Sequence, residues 1–368
     1  MAKKNSFDFS DLNAELANIN PLGSVMENST FSEVTEWIDT GNYHLNACVS
    51  GSLFGGWPNN RSCSIAGPSG TGKTFLILNS VKRAIDMGYN VVFYDSEAAV
   101  DKTLMKKFGI DLKKVNYQPV NTVQDFRHSV TTITSKMQEV KRSGGEVPKL
   151  MLILDSAGNL ATQKEINDAI SGSEKTDMTR SKILKSIFRI IMTPLADLKI
   201  PFLFTNHTYQ TQDFISRQVA GGGTGPEYAA SIVLFLNKAQ LKEGAEKTGI
   251  IVTAKPNKNR FAKPTNIKFH LHFTKGMNPY VGLEQYVDWD ICGVTRGNIV
   301  KGEKVPKATA RTWICKHLDK TVSNADFFTE KVFTKEVLEQ IDQHIKPIFN
   351  YNEIAEDVDV DEILEENA

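Results

Sequence analysis

From about Phe31 onward the chain alternates two hydrophobic patterns. Short apolar runs closed by polar residues read as buried strands, and stretches with apolar residues on one face at helical spacing read as helices. Ser62-Cys63-Ser64-Ile65-Ala66, Asn90-Val91-Val92-Phe93-Tyr94 and Leu150-Met151-Leu152-Ile153-Leu154 are strand candidates, as is the run from Pro201 to His207. Leu78, Val81 and Ile85 mark a helix face that stops near Gly88, Val123 to Arg142 reads as a helix ended by Ser143-Gly144-Gly145, and Asp177-Met178-Thr179-Arg180 opens another that runs to about Asp197. This alternation predicts an α/β core with a mainly parallel central sheet flanked by helices. The first thirty residues carry one amphipathic pattern (Phe9, Leu12, Leu16) and then Pro21-Leu22-Gly23, and read as an arm.

Between the first strand and the first helix lies Gly67-Pro68-Ser69-Gly70-Thr71-Gly72-Lys73-Thr74, a full match to G-x-x-x-x-G-K-[ST]. Glycines let backbone N–H groups wrap around oxyanions, Lys73 reaches the β- and γ-phosphates, and the Thr74 hydroxyl takes a place on Mg²⁺. The strand, loop, helix order places phosphates at a helix N-terminus, where unpaired N–H groups and the macrodipole favour anions. A nucleoside triphosphate is the implied ligand.

Composition narrows the class. The chain has 368 residues, 40% hydrophobic and 23% charged, with no apolar run long enough to span a membrane and no signal-peptide core after Met1, so a cytoplasmic protein is expected. Cys48, Cys63, Cys292 and Cys315 are too scattered for a zinc site and read as reduced structural thiols; His270 and His272 share a strand face without nearby partner ligands. The formal charge of zero conceals an asymmetry. Residues 353–368 hold eight acidic residues and no Lys or Arg, leaving a body of about +8. Such a tail is either a solvated end or a competitor with a polyanion for the basic surface.

In a parallel sheet, ligands sit at the carboxyl ends of strands, so Glu97, Asp155 and His207 are expected on the same edge as the phosphate loop. Asp155 after four apolar residues resembles a Walker B carboxylate holding Mg²⁺ opposite Thr74. Glu97 is the candidate to orient and deprotonate an attacking water. On the residues alone, a strand-capping aspartate and a solvated loop glutamate are alternative readings. Two polar stretches, 162–176 and 208–225, are expected as flexible loops on that edge; they would line either a channel for single-stranded nucleic acid or a substrate lid. Asn237-Lys238-Ala239-Gln240 lacks the aspartate that reads guanine, which disfavours a GTPase.

Taken together, Phe93-Tyr94-Asp95-Ser96-Glu97, the run Leu154 to Ala161, the run Ser181 to Arg189, Asn206-His207-Thr208-Tyr209 and Gly221-Gly222-Gly223-Thr224-Gly225-Pro226 resemble the RecA-type strand-exchange recombinases, most closely those of T-even-like bacteriophages. The resemblance covers about residues 30–290. It implies a RecA-type P-loop ATPase core at 31–290, an N-terminal arm at 1–30 that contacts a neighbouring subunit, a small C-terminal region at 291–352 and an acidic tail at 353–368. The implied activity is DNA-dependent, Mg²⁺-requiring ATP hydrolysis by a filament on single-stranded DNA that pairs with homologous duplex DNA and exchanges strands in phage recombination, repair and replication. Partners implied are further copies of the chain, a loader protein and a single-strand-binding protein, in the host cytoplasm.

Residue by residue, the resemblance makes Glu97 the catalytic glutamate and His207 the polar residue that senses the γ-phosphate. Lys258 and Arg260 become basic residues that reach a neighbouring subunit's phosphate. It places Asp101 at the nucleotide, although Leu104 stands where relatives often carry an aromatic on the adenine. It also places DNA contacts at Arg180, Tyr209, Phe214, Arg217, Gly221 and Gly222. Two alternatives stand beside it: a non-exchanging ATP-binding recombination mediator, and a RecA-fold helicase.

Overall fold

The computed structural model describes residues 8–172, 179–210, 218–220 and 225–351. Its first half comprises α1 (Phe9–Ile19), β1 (Trp37–Ile38), α2 (Tyr43–Ser50), β2 (Trp57–Pro58), β3 (Ser62–Gly67), α3 (Lys73–Asp86), β4 (Asn90–Asp95), α4 (Lys102–Lys107), β5 (Val115–Pro119), α5 (Val123–Arg142), β6 (Leu150–Asp155) and α6 (Gln163–Ile170). There follow α7 (Arg180–Asp197), β7 (Phe202–Gln210), β8 (Gln218–Ala220), α8 (Gly225–Ala229), β9 (Ile232–Glu243), β10 (Glu246–Asn259), β11 (Ile267–His272), β12 (Gly276–Met277), β13 (Val294–Val300), β14 (Glu303–Pro306), β15 (Trp313–Cys315) and α9 (Lys335–Phe349).

The main sheet runs β12-β11-β10-β9-β3-β7-β6-β4-β5. Neighbours from β9 through β5 pair parallel, whereas β10, β11 and β12 extend the sheet antiparallel. The continuous apolar runs are explained by burial on both faces. Val91, Phe93, Met151, Ile153 and Leu203 meet Leu76, Ile77 and Val81 of α3 in one cluster. The alternate residues Val92, Tyr94, Leu152, Leu154, Phe202 and Phe204 meet Val123, Phe126 and Val130 of α5 and Leu184, Phe188 and Ile191 of α7 in the other. A one-residue slip would exchange these two sets and put each against the wrong helices, so the register at the site is tightly specified.

That register brings the strand ends level. Gly67 of β3 pairs with His207 of β7, and Asp95 of β4 pairs with Asp155 of β6. Residues beyond 290 share the same interior: Val337, Leu338, Ile341, Ile345 and Phe349 of α9 belong to the cluster that contains α3 and α2. There the buried Asp342 carboxylate accepts from Leu53 N at 2.6 Å and Ser52 Oγ at 2.9 Å. At the other end of the chain, α1 has no buried residue, and its apolar stripe Phe9, Leu12, Leu16 and Ile19 is uncovered.

Two expectations change. The stretch 162–176, expected as a flexible loop, contains α6, nucleated by a capping box: Thr162 Oγ1 accepts from Glu165 N at 3.0 Å and Glu165 Oε2 accepts from Thr162 N at 2.6 Å. The strand expected to end at His207 continues to Gln210 and pairs antiparallel with β8, so residues 208–210 and 218–220 of the second predicted loop form a hairpin stem. All four cysteines are buried and free, and burial pushes the Cys48 thiol up to about 12, as expected of inert structural thiols. Among the described residues no helix is long and apolar enough to cross a membrane, and no cluster of three metal-ligating side chains occurs.

Candidate active site

The phosphate loop emerges from β3 and feeds the N-terminus of α3. Two of its glycines are required, Gly67 by space and Gly72 by its backbone conformation. A β-carbon on Gly67 would lie 2.7 Å from Leu236 O of β9, and Gly72 has φ +89° with a β-carbon position 2.3 Å from Leu271 Cδ1. The loop is therefore wedged against β9 and β11 while its own N–H groups stay available for an anion.

Lys73 follows as the first residue of α3 and is 7% exposed. Its ammonium donates to Gly67 O at 2.9 Å and Pro68 O at 3.1 Å. Burial lowers its pKa against the opposing pull of Asp155 and Glu97. A buried ammonium hydrogen-bonded to loop carbonyls favours an arriving anion, because phosphate oxygens would replace weak dipoles with full charge.

Thr74 and Asp155 meet as the motifs require: Thr74 Oγ1 donates to Asp155 Oδ2 at 2.7 Å. Asp155 Oδ1 accepts from Thr205 Oγ1, and burial raises the Asp155 pKa, reinforced by the nearby charges of Glu97 and Asp95. A hydroxyl and a buried carboxylate side by side beneath the loop are hard oxygen donors of the kind Mg²⁺ takes, and a cation there would offset the carboxylate's burial. The donor set fits a magnesium nucleotide.

Glu97 stands beside this pair. Its Oε1 accepts from Ser156 Oγ at 2.6 Å and contacts His207 Nε2 at 2.8 Å, so β7 touches the candidate base directly. Ser156 is itself clasped, its N–H donating to Ser96 Oγ at 2.9 Å and its carbonyl accepting from the same hydroxyl at 2.8 Å; the Asp155–Ser156 peptide is cis. Behind Glu97, Asp95 Oδ1 accepts from Glu97 N at 2.8 Å, while Oδ2 accepts from Tyr117 Oη at 2.9 Å and Val100 N at 3.3 Å. Asp95 and Tyr117 thus fix the backbone that presents Glu97.

A model of the RecA N-terminal domain matches residues 12–278. The "Recombination and repair protein" of Enterobacteria phage T4 is 33% identical over 279 residues, covering 74% of this chain and 69% of that protein. The chain belongs to the RecA family. "Protein RecA" of Thermotoga neapolitana is 29% identical over 247 residues, 66% of each chain, and that of Chloroherpeton thalassium is 26% identical over 249 residues, covering 66% of this chain and 64% of the relative. The chain thus spans about two thirds of the length of these relatives.

Within this RecA-family core, Gly67 to Thr74, Glu97, Asp155 and His207 converge on one sheet edge. Lys258 and Arg260 do not join them. Lys258 pairs with Val233 near the start of β9, and its ammonium donates to Tyr228 O at 2.8 Å; Arg260 is exposed and lines a cavity with Arg61, Ser62 and Met192. Asp101 caps α4, accepting from Leu104 N at 2.6 Å, and lines a cavity of about 310 Å³ with Val100, Met105, Leu112 and Tyr117. Arg180 opens α7 half-buried, its guanidinium donating to Gly158 O in the turn after β6. Tyr209 lies in β7 opposite Val219 of β8. Phe214, Arg217, Gly221 and Gly222, together with the acidic tail at 353–368, lie outside the described residues.

Sequence reasoning missed Asp95, Tyr117, Thr205, Ser156 and Lys238. Asp95 carried a signal, since it closes its strand as Asp155 closes the next. Lys238 carried none, because only the packing of β9 against the loop brings its ammonium within 2.9 Å of Ser69 O.

Proposed function

We propose that the protein is a DNA-dependent ATPase that assembles on single-stranded DNA and catalyses homologous pairing and strand exchange. The observation that carries this reading is the contact between Glu97 and His207, which joins the candidate base to the strand leading into the second predicted DNA loop. A change in that loop on DNA binding has a one-residue path to the group that activates water.

When bound, the magnesium nucleotide supplies the phosphoryl group and the charge that makes in-line attack by water feasible. The chain's own residues do the rest. Lys73 and the loop N–H groups bind the β- and γ-phosphate oxygens, Thr74 and Asp155 hold the cation, and Glu97 orients water and accepts its proton. Ser156 and His207 hold the Glu97 carboxylate in place, and Asp95 with Tyr117 holds its backbone. Lys258 and Arg260, remote from their own loop, are suited to complete a neighbour's site, and the uncovered stripe of α1 is suited to dock on that neighbour. Single-stranded DNA, homologous duplex, a loader and a single-strand-binding protein are the proposed partners.

The test is strand exchange between circular single-stranded DNA and homologous linear duplex, with ATP present or omitted and with heterologous duplex as control. Joint molecules that require ATP and homology support the reading. DNA-stimulated hydrolysis without joint molecules would favour a mediator, and duplex unwinding would favour a helicase.

A further inference from the structure

β9 does more than brace the loop. Its backbone at Leu236 O approaches Gly67 so closely that no β-carbon fits there, which fixes the strand's position relative to the loop. Two residues on, Lys238 is exposed and reaches back over the loop crest. Its ammonium donates to Ser69 O at 2.9 Å and sits 2.6 Å from where a β-carbon on Gly70 would lie. A lysine ammonium is a mobile point charge with three donors on a flexible stem, and Ser69 O takes one of them. Lys238 also lies near enough to Lys73 to disfavour that residue's charged form. Two ammonium groups thus stand on one short loop: Lys73 buried beneath it, Lys238 exposed above. Their repulsion is relieved by an anion between them.

We propose that Lys238 is a second phosphate-contacting cation that reads the terminal phosphate of a nucleoside triphosphate, an inference resting on the nucleotide-binding role assigned to the loop. Of the β- and γ-phosphates that Lys73 reaches, ATP and ADP share the β-phosphate, so Lys73 serves both nucleotides. Lys238 is held at the outer rim by Ser69 O, so its contact is gained mainly when a third phosphate is present. The residue acts in its own protomer, which separates it from Lys258 and Arg260, whose proposed target is a neighbour's site.

The experiment is equilibrium displacement of a fluorescent nucleotide by ATP and by ADP, each with Mg²⁺ and without DNA, for wild type, Lys238→Met and Lys238→Arg. Lys238→Met is expected to weaken ATP roughly tenfold, the order of one charge-assisted hydrogen bond. ADP should change less than about twofold, and Lys238→Arg should recover most of the ATP affinity. A purely structural role, in which Lys238 only props Ser69, would weaken ATP and ADP alike and overturns the proposal. Unchanged ATP affinity in Lys238→Met overturns it too. A wild-type protein that binds neither nucleotide overturns both this inference and the reading of the loop, whereas wild-type binding with an unchanged ATP-to-ADP ratio in Lys238→Met overturns this inference alone.

Discussion

Glu97→Gln separates the chemistry of the site from its architecture. The Glu97 Oε1 atom accepts from Ser156 Oγ at 2.6 Å and contacts His207 Nε2 at 2.8 Å. A glutamine keeps an acceptor oxygen in that position and loses the charge and the basicity. Hydrogen bonds to a charged group contribute about 1.5–3 kcal/mol against about 1 kcal/mol for neutral partners, and the partly solvated position reduces the difference further, so the expected stability change is about 1 kcal/mol or less. Removing a general base costs about 10²–10⁴ in rate, or about 3–5 kcal/mol in barrier. The kinetic effect should therefore exceed the structural one several-fold. The assay is steady-state ATP hydrolysis with saturating single-stranded DNA, run beside nucleotide affinity and a thermal melt. The account expects turnover lower by at least a hundredfold with affinity and melting nearly unchanged. Turnover within tenfold of wild type would refute the base assignment; parallel loss of affinity would refute the separation of roles.

Three further outcomes follow from the same geometry. Lys258→Ala should keep basal hydrolysis and lose the DNA-stimulated part, measured with and without single-stranded DNA; equal loss of both would sink a role in the neighbour's site. His44 is 1% exposed and burial lowers its pKa to about 4, with Nε2 2.9 Å from Tyr286 Oη. The unfolded chain binds this proton from about pH 6.5 downward and the native state only near 4, so stability should fall by up to about 3 kcal/mol across that window as pH drops. His44→Gln should flatten this slope in urea titrations at pH 7 and 5, and parallel slopes would contradict the assignment. Asp342→Ala strands the Leu53 N–H and should cost about 1–3 kcal/mol in the urea midpoint without changing nucleotide affinity; a neutral result would mean that the tie between α9 and the core carries no stability.

Elements with long, strongly patterned sequences were legible, and elements set by tertiary pairing were not. The helix expected over 123–142 forms with those bounds because Thr122 caps it and Val123, Phe126 and Val130 face the sheet at helical spacing. The run 150–154 is buried on both faces, as a central parallel strand must be. By contrast, α6 is short and has no buried residue; its signals were the T-x-x-E spacing of Thr162 and Glu165 and the short apolar stripe of Ile166, Ala169 and Ile170. The extension of β7 depends on β8, a partner eight residues beyond its end. Within the site, Lys73, Thr74 and Asp155 were readable because phosphate and Mg²⁺ chemistry constrains residue type at fixed spacing. Tyr117 was not, because it acts through Asp95 on the Glu97 backbone, and that role depends on β4 and β5 lying side by side in register.

The most direct test of the central claim is ATP hydrolysis by the purified full-length protein with and without single-stranded DNA at constant Mg²⁺ and salt. The account predicts strong stimulation by DNA that disappears in Glu97→Gln. Turnover indifferent to DNA would contradict it, leaving the contact between His207 and Glu97 without a signal to transmit.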